Sequence, residues 1–167
     1  MNRRIAIYGG SFDPFHLGHL VPVVRAQETF QFESVYFVPA GSPPHKGAAP
    51  LTPVTHRLAM VAMATLPYDN FFTSDDEVFV DGPSYTVETV KRYRNRFPGA
   101  VLYFLLGSDS FSQIATWERW EELVELVQIS FSGPRFPPRT TSTARRAAVR
   151  SSTCTCTTRT SCSTCSD

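Results

Sequence analysis

The run Arg4-Ile-Ala-Ile-Tyr8 stops at Gly9-Gly10 and gives way to Ser11-Phe12-Asp13-Pro14-Phe15-His16-Leu17-Gly18-His19, a junction that constrains the fold more than any other stretch. A short apolar run bounded by glycine reads as a buried strand. The glycines let the backbone leave the strand sharply and approach a phosphate closely, and the Ser11 hydroxyl and nearby N–H groups can donate to its oxygens. Asp13 then Pro14 fit an N-cap and first helical residue, which predicts a helix over 14–30. Pro22, inside it, should kink it by removing the hydrogen bond to the Gly18 carbonyl.

His16 and His19 are three apart, so they share one face of the opening turns beside the positive end of the helix dipole, and Gly18 keeps that face open. Two imidazoles so placed can bind phosphate oxygens and stabilise the charge that develops during phosphoryl transfer.

Further apolar runs at 35–38 and 101–106 read as buried parallel strands, with helical spacing over 14–30, about 53–66, 85–97 and 118–127. Val78-Phe79-Val80 reads as another short strand, a further strand begins at Val127–Phe131, and Trp120 reads as core on the last helix. Alternating strands and helices imply a single Rossmann-like, doubly wound α/β domain with a parallel sheet.

Residues 1–131 hold 10 Lys+Arg against 14 Asp+Glu, and residues 132–167 hold 6 against 1. An acidic body must bind an anionic ligand through a few local cations and N–H groups, and nucleic-acid binding by the body is disfavoured. No apolar run approaches a membrane span and the start lacks a secretory h-region, so the expected location is cytoplasmic. From Ser132 the bulky apolar residues are Phe136 and Val149, amid Thr, Ser, Arg, Pro and Cys. No strand or helix is expected there. We read 1–131 as the domain and 132–167 as a disordered or out-of-frame tail standing in place of the domain's own C-terminal part. Cys154, Cys156, Cys162 and Cys165 all lie in that tail, where Cys162-Ser-Thr-Cys165 lacks the folded frame that a metal or redox site needs, so no metal site is assigned.

Lys46, on the Pro-stiffened Pro43-Pro44-His45-Lys46 loop, can bring a point charge to phosphates across the carboxyl edge of the sheet. Gly107 and Asp109 end a buried strand at that edge, where glycine admits a ligand and an acidic side chain can accept from a ribose or cap the next helix. Trp117 offers a flat face for stacking, and Thr86 at a helix start can donate to a carboxylate.

The Gly9–His19 segment resembles the GGxFDPxHxGH signature of the nucleotidyltransferase superfamily, and specifically the nicotinate mononucleotide adenylyltransferases. Pro43–Lys46 resembles that family's PPHK loop, Ser84-Tyr85-Thr86 its SYT, and Leu106-Gly107-Ser108-Asp109 with Trp117 its LGxD and following tryptophan, all in family order over residues 4–130. The resemblance implies attack by the nicotinate mononucleotide 5′-phosphate on the α-phosphorus of ATP, releasing pyrophosphate and forming deamido-NAD, with Mg²⁺ carried on the ATP phosphates. It implies catalytic roles for His16, His19 and Lys46, ATP contacts from Gly9, Gly10, Ser11, Phe12, Gly107 and Asp109, and mononucleotide contacts from Thr86 and Trp117. Arg57 also resembles a family position and receives no role.

The family's late ISSTxIR motif has only a superficial echo in Thr141–Arg146, which predicts a chain of low stability and weak activity. Pantetheine-phosphate adenylyltransferase is the near rival, with the Ser84–Thr86 and Trp117 stretches against it. The rival of another class is a non-catalytic nucleotide-binding remnant.

Overall fold

The computed structural model describes residues 3–42, 51–80, 82–133 and 136–139. In chain order these form β1 (Arg4–Gly10), α1 (Leu17–Phe30), β2 (Ser34–Pro39), α2 (Val54–Thr65), β3 (Phe71–Thr73), α3 (Thr86–Arg96), β4 (Val101–Gly107), α4 (Ser108–Ser112), a 3₁₀ turn (Ile114–Thr116), α5 (Trp120–Leu126), β5 (Gln128–Gly133) and β6 (Phe136–Arg139). The sheet order is β3-β2-β1-β4-β5-β6. β1 runs parallel between β2 and β4, so the strand order reverses there and opens a crevice beyond the carboxyl ends of β1 and β4.

Strand alternation sorts the apolar side chains onto two faces. Ile5, Ile7, Leu102, Phe104, Leu106 and Ile129 pack with Val90 and Tyr93 of α3 and Leu123 of α5. On the other face Ala6, Tyr8, Val35, Phe37, Tyr103 and Leu105 pack with Val23 and Ala26 of α1 and Val61 of α2. Both faces are covered, as the doubly wound reading requires.

Three expectations are corrected. Val78–Val80 is not a strand: residues 76–79 form a turn, and the third strand is Phe71–Thr73, whose register Val35↔Phe71 to Phe37↔Thr73 seats it beside β2. The expected stretch had the right residue types, but Val78 N–H is drawn back to the Asp75 carbonyl at 2.9 Å, closing the turn. The five strands β3-β2-β1-β4-β5 are parallel as expected, and what is corrected is the stretch expected to carry no strand, where β6 adds an antiparallel edge beside β5. That expectation required an apolar face, whereas an edge strand needs only backbone partners and tolerates proline. Finally, Trp120 is half-buried on the first turn of α5, while Leu123 fills the core beneath it.

Candidate active site

At the crevice the turn after β1 folds back under its own aromatic residues. Phe12 is 1% exposed and adopts φ 49°, a left-handed conformation costly for a residue with a side chain. Its ring packs 5.4 Å from Tyr8, 5.3 Å from Phe15 and edge-to-face at 5.3 Å from His19. A Cβ on Gly10 would fall 2.7 Å from that ring, so only glycine lets the strand end there. The Phe12 ring is therefore a core element that orients His19, and only the rest of the residue is left to serve a ligand.

Asp13 does not cap α1. Its carboxylate accepts from the Thr52 N–H at 2.8 Å, across the chain, and the helix begins at Leu17 with His16 as N-cap. The two histidines consequently sit on the first turn itself, ring centroids 3.9 Å apart. The His16 backbone N–H donates to His19 Nδ1 at 3.3 Å. In the neutral ring this leaves Nε2 as the protonated nitrogen, a donor suited to a phosphate oxygen. Tyr8 lies below; burial pushes its phenol up to about 12 and keeps it neutral.

The opposite wall comes from α3, β4 and the segment after β4. Thr86 is the first residue of α3, beyond the N-cap Tyr85, where helix N–H groups lack helical partners. Gly107, not Asp109, is the N-cap of α4, and Asp109 stands exposed in its first turn. Trp117 closes the 3₁₀ turn, half-buried, its ring edge-on to Phe104 at 6.2 Å. Two residues beyond Trp117, Arg119 pairs with Glu88, itself two residues beyond Thr86, and Lys91 bridges to Glu122 at 2.7 Å. The Arg119 guanidinium holds the Glu88 carboxyl below the usual carboxylate range.

These walls enclose one cavity of about 650 Å³. Gly9, Gly10, Ser11, Phe12, His16, His19, Thr86, Gly107, Asp109 and Trp117 all line it, so every expected site residue within the described part of the chain meets there. Lys46, the Thr141–Arg146 stretch and the four cysteines lie outside the described residues. The cavity also holds Glu77, Thr89, Gln113 and Glu118, which sequence reading did not single out. Thr89 could have been found, since it is three residues after Thr86 and shares its helix face. Glu77 could not: it reaches the wall by accepting from Thr89 Oγ1 at 2.5 Å, a tertiary contact.

Fold and site together define a doubly wound α/β domain whose switch-point turn offers backbone, hydroxyl and imidazole donors to an anion. Residues 7–155 match the model of the cytidylyltransferase-like family. A probable nicotinate-nucleotide adenylyltransferase of Thermus thermophilus is 39% identical over 135 residues, covering 80% of this chain and 72% of the relative. One of Thermomicrobium roseum is 42% identical over 124 residues, 74% of this chain, though the match spans only 58% of the relative. The fold is that of the Plasmodium falciparum nicotinic acid mononucleotide adenylyltransferase complexed with NaAD, with a TM-score of 0.70 at 22% identity over 87% of this chain and 71% of that one. The chain belongs to the cytidylyltransferase-like family and, within it, to the nicotinate-nucleotide adenylyltransferases. Among the described residues no helix is long and apolar enough to cross a membrane.

Proposed function

We propose that this chain transfers the adenylyl group of ATP to nicotinate mononucleotide, giving deamido-NAD and pyrophosphate. The observation that carries the reading is the convergence on one cavity of the two-histidine turn at its β1 wall and of Thr86 with Trp117 at its far wall. In this reading the 5′-phosphate oxygen of the mononucleotide attacks the α-phosphorus in line, and the bond to pyrophosphate breaks. His19 donates from Nε2 and His16 from the N-cap position to the oxygens that gain charge, supported by the helix N-terminus. No covalent intermediate is required, and positioning supplies much of the rate. Thr86 and the first N–H groups of α3 receive the pyridine carboxylate while Trp117 stacks on the ring. Asp109 accepts from a ribose of ATP, and Lys46 supplies a cation to its phosphates.

The donors around the turn suit phosphate oxygens, which fits Mg²⁺ arriving on ATP; bound there, it would neutralise charge on the phosphates. A cytoplasmic location accompanies this reading, as does a domain ending near Phe131 with an extension of other character beyond it. The test is pyrophosphate release and chromatographic detection of deamido-NAD by the purified chain, with ATP and, in parallel, nicotinate mononucleotide, nicotinamide mononucleotide and phosphopantetheine. Turnover with phosphopantetheine alone, or ATP binding without product, would overturn it.

A further inference from the structure

Arg57, on α2, is 1% exposed, and its contacts are unusual for a buried cation. All four hydrogen bonds found for it go to backbone carbonyls: Nε donates to Thr52 at 2.8 Å, one terminal nitrogen to Ser11 at 2.6 Å and Ala40 at 2.8 Å, and the other to Gly41 at 3.4 Å. A guanidinium is a planar fork of five donors that stays charged, so one such group can fix several carbonyls at set angles, which a lysine point charge cannot.

The four carbonyls belong to three segments far apart in sequence, two of which reach the cavity wall through Ser11 and Ala40. Ser11 lies in the phosphate-facing turn, and Ala40, also on the cavity wall, leaves β2 with its N–H donating to the Gly10 carbonyl at 2.8 Å. Beyond Gly41, Ser42 N–H donates to Ser84 Oγ at 3.1 Å, and Ser84 N–H returns to the Ser42 carbonyl at 3.0 Å. Ser84 leads directly into Thr86 and α3. Thr52, the fourth carbonyl, is the residue whose N–H holds Asp13.

We propose that Arg57 is a positioning residue that locks the phosphate-facing turn and the Ala40–Ser42 segment into one frame, and through Ser84 sets the distance from that turn to the N-terminus of α3. Its action on the turn follows from peptide geometry. A trans peptide carries its N–H opposite its C=O, so drawing the Ser11 carbonyl onto the buried guanidinium turns the Phe12 N–H away from it, toward an incoming anion. The same group places a positive charge beside the turn, offset in part by the Asp13 carboxylate, in a body that is acidic as a whole. The part concerning catalysis rests on the adenylyl-transfer reading; the part concerning anion binding does not.

The experiment compares the full-length chain with Arg57→Lys and Arg57→Gln by thermal melting, by titration with inorganic tripolyphosphate, and by steady-state kinetics with ATP and nicotinate mononucleotide. Arg57→Lys keeps the charge but loses the fork, so the expected result is a folded protein whose tripolyphosphate Kd rises about tenfold and whose kcat falls about 10–100-fold, as lost charge-assisted hydrogen bonds and a misplaced turn imply. A merely structural residue would lower the melting temperature and the active fraction while leaving Kd and KM at their original values; that outcome overturns the proposal. Should both variants fail to fold, the unaltered chain gives the decision. Its Arg57 Nε–H resonance is expected to exchange slowly and to shift when tripolyphosphate binds, and no shift refutes the coupling. A chain that binds tripolyphosphate in an Arg57-dependent way yet makes no dinucleotide would sink the proposed function and leave this inference standing.

Discussion

Gly18→Ala separates folding from catalysis in this site. Gly18 is the second residue of α1, where alanine is the better helix former by roughly 0.5–1 kcal/mol. The added Cβ would stand 2.8 Å from His16 Cε1 and 2.9 Å from His16 Nδ1, too close for either atom to remain. His16 is exposed, so its ring can swing away at little cost to the fold. The stability change is therefore expected to lie between zero and a gain of about 1 kcal/mol. Activity moves the other way. His16 would leave its place beside His19, and loss of one preorganised donor to a developing oxyanion costs about 3–4 kcal/mol, or roughly 10²–10³ in kcat. The assay pairs urea melts with steady-state pyrophosphate release at saturating ATP. A stable variant that retains more than about a third of the original kcat would show that His16 does not act from the position seen here, and would refute the argument.

Three other perturbations are decided by the same structure. Tyr8 ionises in the unfolded chain near its ordinary value and in the fold only at about 12, so its contribution to stability is whole below pH 10 and is lost as pH rises through 12. The share of Tyr8 in the alkaline loss over that window is about 2–3 kcal/mol, and Tyr8→Phe should remove it, leaving the part due to Tyr93, which burial also pushes up. Gly41→Ala would drive a Cβ to 2.2 Å from the Glu77 carbonyl, a backbone atom that cannot swing aside. A loss of about 1–3 kcal/mol in urea melts is expected, and an unchanged midpoint would contradict it. Glu88→Arg should raise KM for nicotinate mononucleotide about two- to fivefold with KM for ATP unchanged, because the pair with Arg119 ties the Thr86 helix to the Trp117 segment. The double swap with Arg119→Glu should restore it, and a failure of the swap would place the effect elsewhere.

The central strands and their helices were legible from sequence because each carries its own signal: apolar runs at 4–8, 35–38 and 101–106, and periodic faces on α2, α3 and α5. The turn after β1 was legible for the same reason, since glycines, helix start and paired histidines lie within eleven residues of one another. Local chemistry also misled where tertiary contacts competed with it. Asp13 has the look of an N-cap, yet its carboxylate is engaged by Thr52, 39 residues away, and α1 starts at Leu17. Phe71–Thr73 is too short to announce itself and is a strand because β2 offers it an edge.

What the sequence alone determined is the central strands with their helices and the residues whose types suit phosphate and aromatic-acid chemistry, because propensity, periodicity and turn geometry act over a few residues. Only the tertiary structure decided that these residues share one cavity and that Glu77 joins them. It likewise decided that Arg57, unremarkable as a helix arginine, is buried against four carbonyls. Those facts depend on which distant backbone groups the sheet order brings within hydrogen-bond reach, and no short window of sequence contains that distance.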